Sequence, residues 1–386
     1  MASTAGVAQD LRQAAKDKKK DVGQMSQWQL MARRFMQNKL SVLGLLILLG
    51  LYVLAAFSGF LAPYQFNELD SNNVFTSPTG ISFAGGRPSV CGQSQVLNEE
   101  LLEYEYVEDC SKRYPIQFFV RGFEYKLLGL FPTNWHLFGV SQAGAPVDEA
   151  TGKPQEIKLF LFGADNQGRD MLAQILQGAR VSLTVGLIGV GIATILGSVL
   201  GTASGYFGGF IDNVMQRTIE LISSIPQIPL WAALAAALPR EMSVVRRYIL
   251  ITVVLSLVAW TGLARQVRGK VMGYRSLDYA NATRAAGGSH TRIILTHMLP
   301  NAVSHIVVVA ALAIPGAILA ETALSFLGLG MLRPAVSWGV LLRDAQSVQV
   351  VMDYPWLMIP AVLVIITLTC YQFLGDGLRD AVDPYS

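Results

Sequence analysis

Charge is what this sequence has least of. Asp, Glu, Lys and Arg together make up 15% of its 386 residues, while 52% are hydrophobic, and the mean hydropathy is +0.40. A soluble chain carries about 25% charged residues, so here the polar surface is too small to cover one water-facing core. That excludes a soluble globular protein and leaves an integral membrane protein. The net charge of +3 is too slight a basic excess for a nucleic-acid partner, and the distribution of charge matters more than its sum.

Cysteine and histidine are scarce as well. Three cysteines exclude a disulfide scaffold or a cysteine-rich metal centre, and the four histidines (His136, His290, His297, His305) lack metal-ligand spacing. There is no G-x-x-x-x-G-K-[ST] loop to cradle ATP phosphates, no H-E-x-x-H, no G-x-S-x-G elbow and no Cys/His pair. Neither catalysis nor a resident cofactor or metal is expected of the chain itself. Its opening, MASTAGVAQD, lacks the apolar core and small-residue cleavage site of a secretory signal, so no leader is expected to be removed.

What the sequence does have is long apolar runs. A membrane-spanning helix needs about 20 mostly apolar residues, and six stretches qualify: 41–62, 181–211, 221–238, 248–264, 301–330 and 354–375. The third holds Pro226 and Pro229, each of which removes a backbone donor and kinks a helix. The fold class expected is therefore an all-α membrane protein with six transmembrane helices. Ahead of the first span stand eight basic residues against three acidic ones, which places the N-terminus in the cytoplasm, and six spans return the C-terminus to the same side. The loop 265–299, with six bases, is then cytoplasmic; the short outer loop with Arg240, Arg246 and Arg247 runs against the rule but is outweighed.

The expected organisation is an N-terminal arm (1–40), a first span (41–62), an outer insert (63–165) and a six-span core completed by 166–386. Within the arm, Trp28, Leu30, Met31, Phe35 and Met36 recur at helical spacing among Arg33, Arg34 and Lys39, the pattern of an interfacial amphipathic helix. The insert carries thirteen acids and seven bases, consistent with the outer face. Short β-like runs at 116–121 and 158–162 between turn signals predict a small β-rich or irregular subdomain. Cys91 and Cys110 fall together in it, and in an oxidising compartment a bond between them is expected; two unpaired thiols is the alternative.

Two motifs remain. One is GADNQGRD at 163–170, continuing through Arg180 and Ser182; its charges are read as pairing locally around a capped helix. The other is LDYANATRAAGGSH at 277–290, continuing to HMLPN at 297–301. Small side chains (Ala280, Ala282, Ala285, Ala286) let another surface approach a short helix closely, Gly287-Gly288 permits a sharp turn, and Ser289 is placed to cap the next helix, expected to stop near Pro300. With SFLGLG at 325–330 and GDGLRDAVDP at 375–384, these stretches resemble the inner-membrane permease subunits of bacterial ABC importers, and more narrowly the C-type subunit of the dipeptide/oligopeptide (and nickel) permease family. The resemblance covers 165–386 well and 26–62 loosely. The family's E-A-A…G…I-x-L-P loop is occupied here by Asn281-Ala282-Thr283, Gly287 and His297-Met298-Leu299-Pro300, so its glutamate is replaced by Asn281, its second alanine by Thr283 and its isoleucine by His297.

The resemblance implies an ATP-driven importer, with di- or oligopeptides as cargo and opines, nickel complexes or oligosaccharides as alternatives. It implies a second homologous permease, two ABC ATPase subunits that hold ATP and Mg, and an extracytoplasmic substrate-binding protein, in a bacterial inner membrane. It also implies that Tyr279, Ala280, Asn281, Ala282, Thr283, Arg284, Ala285, Gly287, Gly288, Leu299 and Pro300 form the ATPase-coupling surface. Apart from the resemblance, Glu321 is an acid inside a span, which reads either as a pathway or gate residue or as a structural hydrogen-bonding one. The glycines at 186, 189, 191, 197 and 201 suggest close helix packing. The rival reading is an ion- or proton-coupled secondary transporter, which needs several intramembrane titratable groups where only Glu321 and His305 are present.

Overall fold

The computed structural model describes residues 27–382 apart from 84–85, 99–102, 144, 146–155, 238, 240–241 and 243. The basic arm before residue 27 and the end of the 375–384 motif lie outside these residues. An amphipathic helix α1 (Gln27–Gln37) leads into α2 (Lys39–Ala56), and between them Asn38 caps α2 by accepting from the Ser41 N–H at 3.3 Å. A short α3 (Ser58–Leu61) precedes the insert. After it come α4 (Met171–Phe207), α5 (Gly209–Ser224), α6 (Gln227–Ala236), α7 (Val244–Tyr274), α8 (Asp278–Ala285) and α9 (His290–Ile293). The last runs through a π turn (Ile294–Met298) into α10 (Leu299–Phe326), followed by α11 (Trp338–Arg343), α12 (Val348–Asp353) and α13 (Ile359–Val382).

Among the described residues, five stretches are long and apolar enough to cross a membrane: Lys39–Ala56, Met171–Phe207, Ile249–Tyr274, His290–Phe326 and Pro355–Val382. The expected third span at 221–238 is not one of them. Its helix begins earlier, at Gly209, and breaks between Ser224 and Gln227. Pro226 has no N–H, and its ring clashes with a preceding carbonyl, while Ile225 before it is extended (φ −88°, ψ 127°) as a pre-proline residue prefers. Pro229 falls in the first turn of α6, where no helical donor is needed.

The packing of α4 against α7 shows where that broken pair travels. A methyl group added at Gly197 would fall 2.9 Å from the Trp260 carbonyl oxygen, at Gly201 2.5 Å from that of Ala264, and at Gly205 2.6 Å from that of Arg268. The partner numbers rise in step, so α4 and α7 run parallel. Two parallel neighbours require the chain to return over their full height between them. The 16 residues of α5 and 10 of α6 rise about 39 Å at 1.5 Å per residue, enough for that return. Among the described residues that return holds two short helices, α5 and α6, and no sixth stretch long and apolar enough to cross a membrane.

Glycine brings α4 into contact with the α7 backbone at 197, 201 and 205, and Gly189 faces the side chains of Thr252 and Ser256; the sequence predicts close packing at 186, 189, 197 and 201. Gly191 is the exception: it faces outward, with nothing within 4 Å of its missing side chain. Nearer the start of α4, Gly186 receives Ile318 of the antiparallel α10. The main core lies where α2, α4, α10, α11 and α13 meet, around Leu48, Leu183, Ile318, Trp338 and Tyr371. There the Tyr52 and Tyr371 hydroxyls share a hydrogen bond of 2.6 Å between α2 and α13.

The insert holds a four-stranded antiparallel meander: β1 (Ile81–Ser82), β2 (Ser89–Asn98), β3 (Glu103–Leu127) and β4 (Phe131–Val140). The long β3 pairs with β2 through its first half and with β4 through its second, so two hairpins lie end to end along one strand. Cys91 and Cys110 are joined by a disulfide across β2 and β3, beside the register shift at Cys91/Gly92. The run 158–162, expected as a strand, joins no sheet: Leu159 and Phe160 are buried in a strap whose N–H groups go to the hydroxyls of Tyr64 (2.8 Å) and Thr79 (3.1 Å). Its alternation is answered by side chains, and the backbone never meets a strand. Burial lowers the pKa of Lys158 in this strap, but its bonds to Glu68 (2.8 Å) and Asp70 (2.9 Å) outweigh that and raise it overall. His136 of β4 fastens the sheet to the bundle, its ring nitrogens meeting the carbonyl oxygens of Ala62 (2.8 Å) and Phe123 (3.0 Å).

Candidate functional site

The turn that joins α7 to α10 is built to present one small, rigid helix. Three residues after α7, Asp278 opens the first turn of α8, where the helix dipole favours an acid, and Arg284 sits in the last. Termination follows the Schellman pattern: Gly288 N–H bonds to Thr283 O (2.9 Å) and Gly287 N–H to Arg284 O (3.0 Å). Gly287 holds φ +78°, which glycine adopts without a Cβ penalty. A Cβ on Gly288 would meet Thr283 Cγ2 and O at 2.8 Å, so both glycines are needed for different reasons. Ser289 then caps α9, its Oγ accepting from Arg292 N–H at 3.3 Å.

The two faces of α8 divide the predicted residues. Ala280 is fully buried in a cluster with Tyr206, Val267, Val271, Ile293 and Met298, which keys α8 into the bundle, and Leu299 packs at its edge. Tyr279 is half-buried; its hydroxyl accepts from Asn301 Nδ2 (3.3 Å) and its ring lies 5.9 Å from that of His297. Thr283 Oγ donates to Tyr279 O (2.8 Å) and lies 3.3 Å from His297 Nε2, which braces α8 against the π turn. Asn281, Ala282, Arg284, Ala285 and Gly287 are exposed. The substituted Asn281 turns back on its own chain, donating to Ser276 O at 3.2 Å.

Pro300 does not stop the helix, against expectation. The chain is continuous from His290 to Phe326. Ahead of the proline the helix widens into the π turn, with Leu299 N–H bonding back to Ile294 O, which makes room for a ring that would otherwise clash with the preceding turn.

Tyr206 and Arg275, which the sequence did not single out, join Asn281 and Arg284 here. The Tyr206 hydroxyl meets His290 Nδ1 at 2.8 Å, and the Arg284 guanidinium lies 5.9 Å over the Tyr206 ring. With Arg275, Ser276 and Asn281 they line an open recess of about 600 Å³ that holds no carboxylate. Tyr206 ends α4 and is 84 residues from His290, a separation at which sequence spacing carries no signal.

Glu321 lies elsewhere. It is fully buried at the other end of α10, accepting from Ser182 Oγ (3.1 Å) and Ser325 Oγ (2.7 Å), with Ser337 beside it. The same serines receive backbone N–H groups: Trp338 onto Ser182, Met331 onto Ser325 and Val340 onto Ser337. A carboxylate thus ties α4, α10 and the start of α11 together. The apolar cavity of about 200 Å³ between α4, α6, α7 and α10 is lined by small residues such as Gly189, Ala193, Ala313 and Gly316, and by neither Glu321 nor His305.

The 163–170 motif also closes on itself, with one addition. Asp165, fully buried, takes Arg169 Nε (2.8 Å), Gln174 Nε2 (3.1 Å) and two backbone N–H groups, while Asp170 caps α4 through the N–H groups of Leu172 and Ala173. Burial pushes the Asp170 carboxyl up to about 7. The addition is Arg333, which reaches Asp165 (3.2 Å), Gln174 (3.0 Å) and Asp344 from the segment after α10. Among the described residues no group of His, Cys, Asp and Glu is arranged to hold a metal ion.

Residues 193–385 match the family described as binding-protein-dependent transport system inner membrane component, and residues 26–78 match the N-terminal TM domain of oligopeptide transport permease C. An oligopeptide transport system permease protein of Haemophilus influenzae is 41% identical over 224 residues, 58% of this chain and 70% of that one. Its counterpart in Salmonella typhimurium is 39% identical over 256 residues, 66% of this chain and 78% of the relative. A dipeptide transport system permease protein of Bacillus subtilis is 37% identical over 224 residues, covering 58% and 68%.

Proposed function

Given that this chain belongs to the binding-protein-dependent transport system inner membrane components, we propose that it is one of two permease subunits of an ATP-driven importer of short peptides. The relatives are named for oligopeptides and dipeptides, which supports that cargo class over nickel complexes or sugars. The other subunits are a second, homologous permease, two cytoplasmic ATPases that bind ATP and Mg, and an extracytoplasmic binding protein that delivers the peptide. The chain itself does no chemistry. The lysine and arginine bias supports an orientation with both termini and α8 in the cytoplasm and the disulfide-bonded insert outside.

The observation that carries the coupling role is the split of α8: Ala280 is locked into the bundle while Ala282, Ala285 and Gly287 are bare. A rigid helix with a small-residue outer face lets a partner's surface approach its backbone, and its buried face transmits the push to α7 and α10. Closure of the ATPases around ATP then biases a two-state membrane assembly, which alternating access requires. Glu321 serves as a structural tie in this scheme.

The test is peptide uptake in membrane vesicles by Ala282→Arg and Gly287→Pro chains. Both are expected to reach the membrane at normal levels and to lose uptake together with peptide-stimulated ATP hydrolysis. Normal uptake by either variant would sink the assignment of α8.

A further inference from the structure

A second polar cavity lies on the other side of the α7–α10 pair, among α1, α7, α10 and α13, with a volume of about 860 Å³. Four nitrogen-bearing side chains from four different helices converge on it: Arg34 of α1, Lys270 of α7, His305 of α10 and Arg379 of α13. No carboxylate lines it, and among the described residues neither Lys270 nor Arg379 forms an ion pair. Drawing the charges of Lys270 and Arg379 to one place is unfavourable unless an anion offsets them. The opposite wall is apolar, with Met31 of α1 and Leu312 of α10. Lys270 lies one turn from the end of α7, and Arg379 and α1 lie beside the matching end of α13, so the cavity sits at the bilayer boundary.

We infer that this cavity binds the headgroup phosphate of an anionic phospholipid, held by Lys270 and Arg379 with the first acyl carbons against Met31 and Leu312. Basic pockets between membrane helices favour such headgroups, and the volume lies within the ordinary range for small-molecule sites. A free phosphate would use the cations and leave the apolar wall idle. The inference requires only that the chain lie in a bilayer, so it stands or falls apart from the transport reading.

The experiment is native mass spectrometry of the intact chain, equilibrated with mixed micelles of phosphatidylcholine and phosphatidylglycerol and then stripped with detergent. The chain should keep phosphatidylglycerol after phosphatidylcholine is lost, and excess inorganic phosphate should not displace it. Lys270→Gln with Arg379→Gln should weaken retention about 30-fold, about fivefold for each charge removed. Lys270→Arg should preserve it, which separates a lost charge from a lost fold, and Arg217→Gln on exposed α5 should change nothing. Equal retention of the two lipids, or unchanged retention by the double variant, would overturn the lipid site. Displacement by inorganic phosphate would also overturn it and assign the cations to a soluble anion.

Discussion

Two glycines on α4 test the parallel seam that fixes the topology. At Gly201 a methyl group would sit 2.5 Å from the Ala264 carbonyl oxygen, 2.9 Å from its Cα and 3.1 Å from its carbonyl carbon. These are backbone atoms in a helix, so no rotamer change relieves them. Ordinary contact begins near 3.4 Å, and α4 and α7 must separate by about 1 Å along a seam that also holds Gly197 and Gly205; overpacking of this kind costs about 1–3 kcal/mol. Gly191, ten residues earlier, has nothing within 4 Å. Gly→Ala changes helix propensity by the same amount at both positions, about 1 kcal/mol in favour of alanine, so that contribution cancels in the comparison. Gly201→Ala should therefore be less stable than Gly191→Ala by about 1–3 kcal/mol, a roughly five- to 150-fold shift in the folded-to-unfolded ratio. The assay is thermal unfolding of the purified chain in one detergent, followed by tryptophan fluorescence, with Trp260 in the seam as reporter. Equal melting of the two variants would refute the parallel contact.

Two other outcomes are expected. Glu321→Gln should keep uptake near normal, because the amide oxygen accepts from one serine and its NH2 donates to the other, whose hydroxyl reverses, while Glu321→Leu strands those hydroxyls and should cost about 1–3 kcal/mol per buried group; complete loss of uptake with glutamine at normal stability would instead make Glu321 a pathway group. Replacing Cys91 and Cys110 by serine opens a loop of 19 residues and should lower the stability of the insert by about 3 kcal/mol, read as faster amide exchange in β2 and β3 with exchange in α4 unchanged; unaltered protection would show that the strands hold without the bond.

Much of the bundle was legible because length and apolarity act locally: 20 uncharged residues have few alternatives in water or lipid. The α8 turn was legible for the same reason, since Gly287, Gly288 and Ser289 each do their work within five residues. What could not be read depends on distance. The 221–238 run looks like one span because its composition is uniform, and only Pro226 against the register of α4 and α7 shows that it is two helices. Pro300 reads as a stop, but a π turn five residues long absorbs it. The strap at 158–162 alternates like a strand and finds no partner strand. Arg333 reaches Asp165 and Tyr206 reaches His290 through folding alone, and the split of α8 into a keyed and a bare face emerges only once Ala280 meets Val267 and Met298.

The close seam has a mechanical consequence. α8 is spliced to α7 by three residues and, through Ala286–Ser289, to the continuous helix that ends beside Glu321. Because α7 touches α4 backbone to backbone, α4 has no freedom to lag behind it. A load applied at α8 would therefore be shared by three helices as one stiff block. The pair α2 and α13, joined through Tyr52 and Tyr371, is tied to that block where the Tyr52 hydroxyl also donates to Leu183 O of α4 (3.3 Å) and where Leu48 and Val364 pack with Leu183 and Ile318.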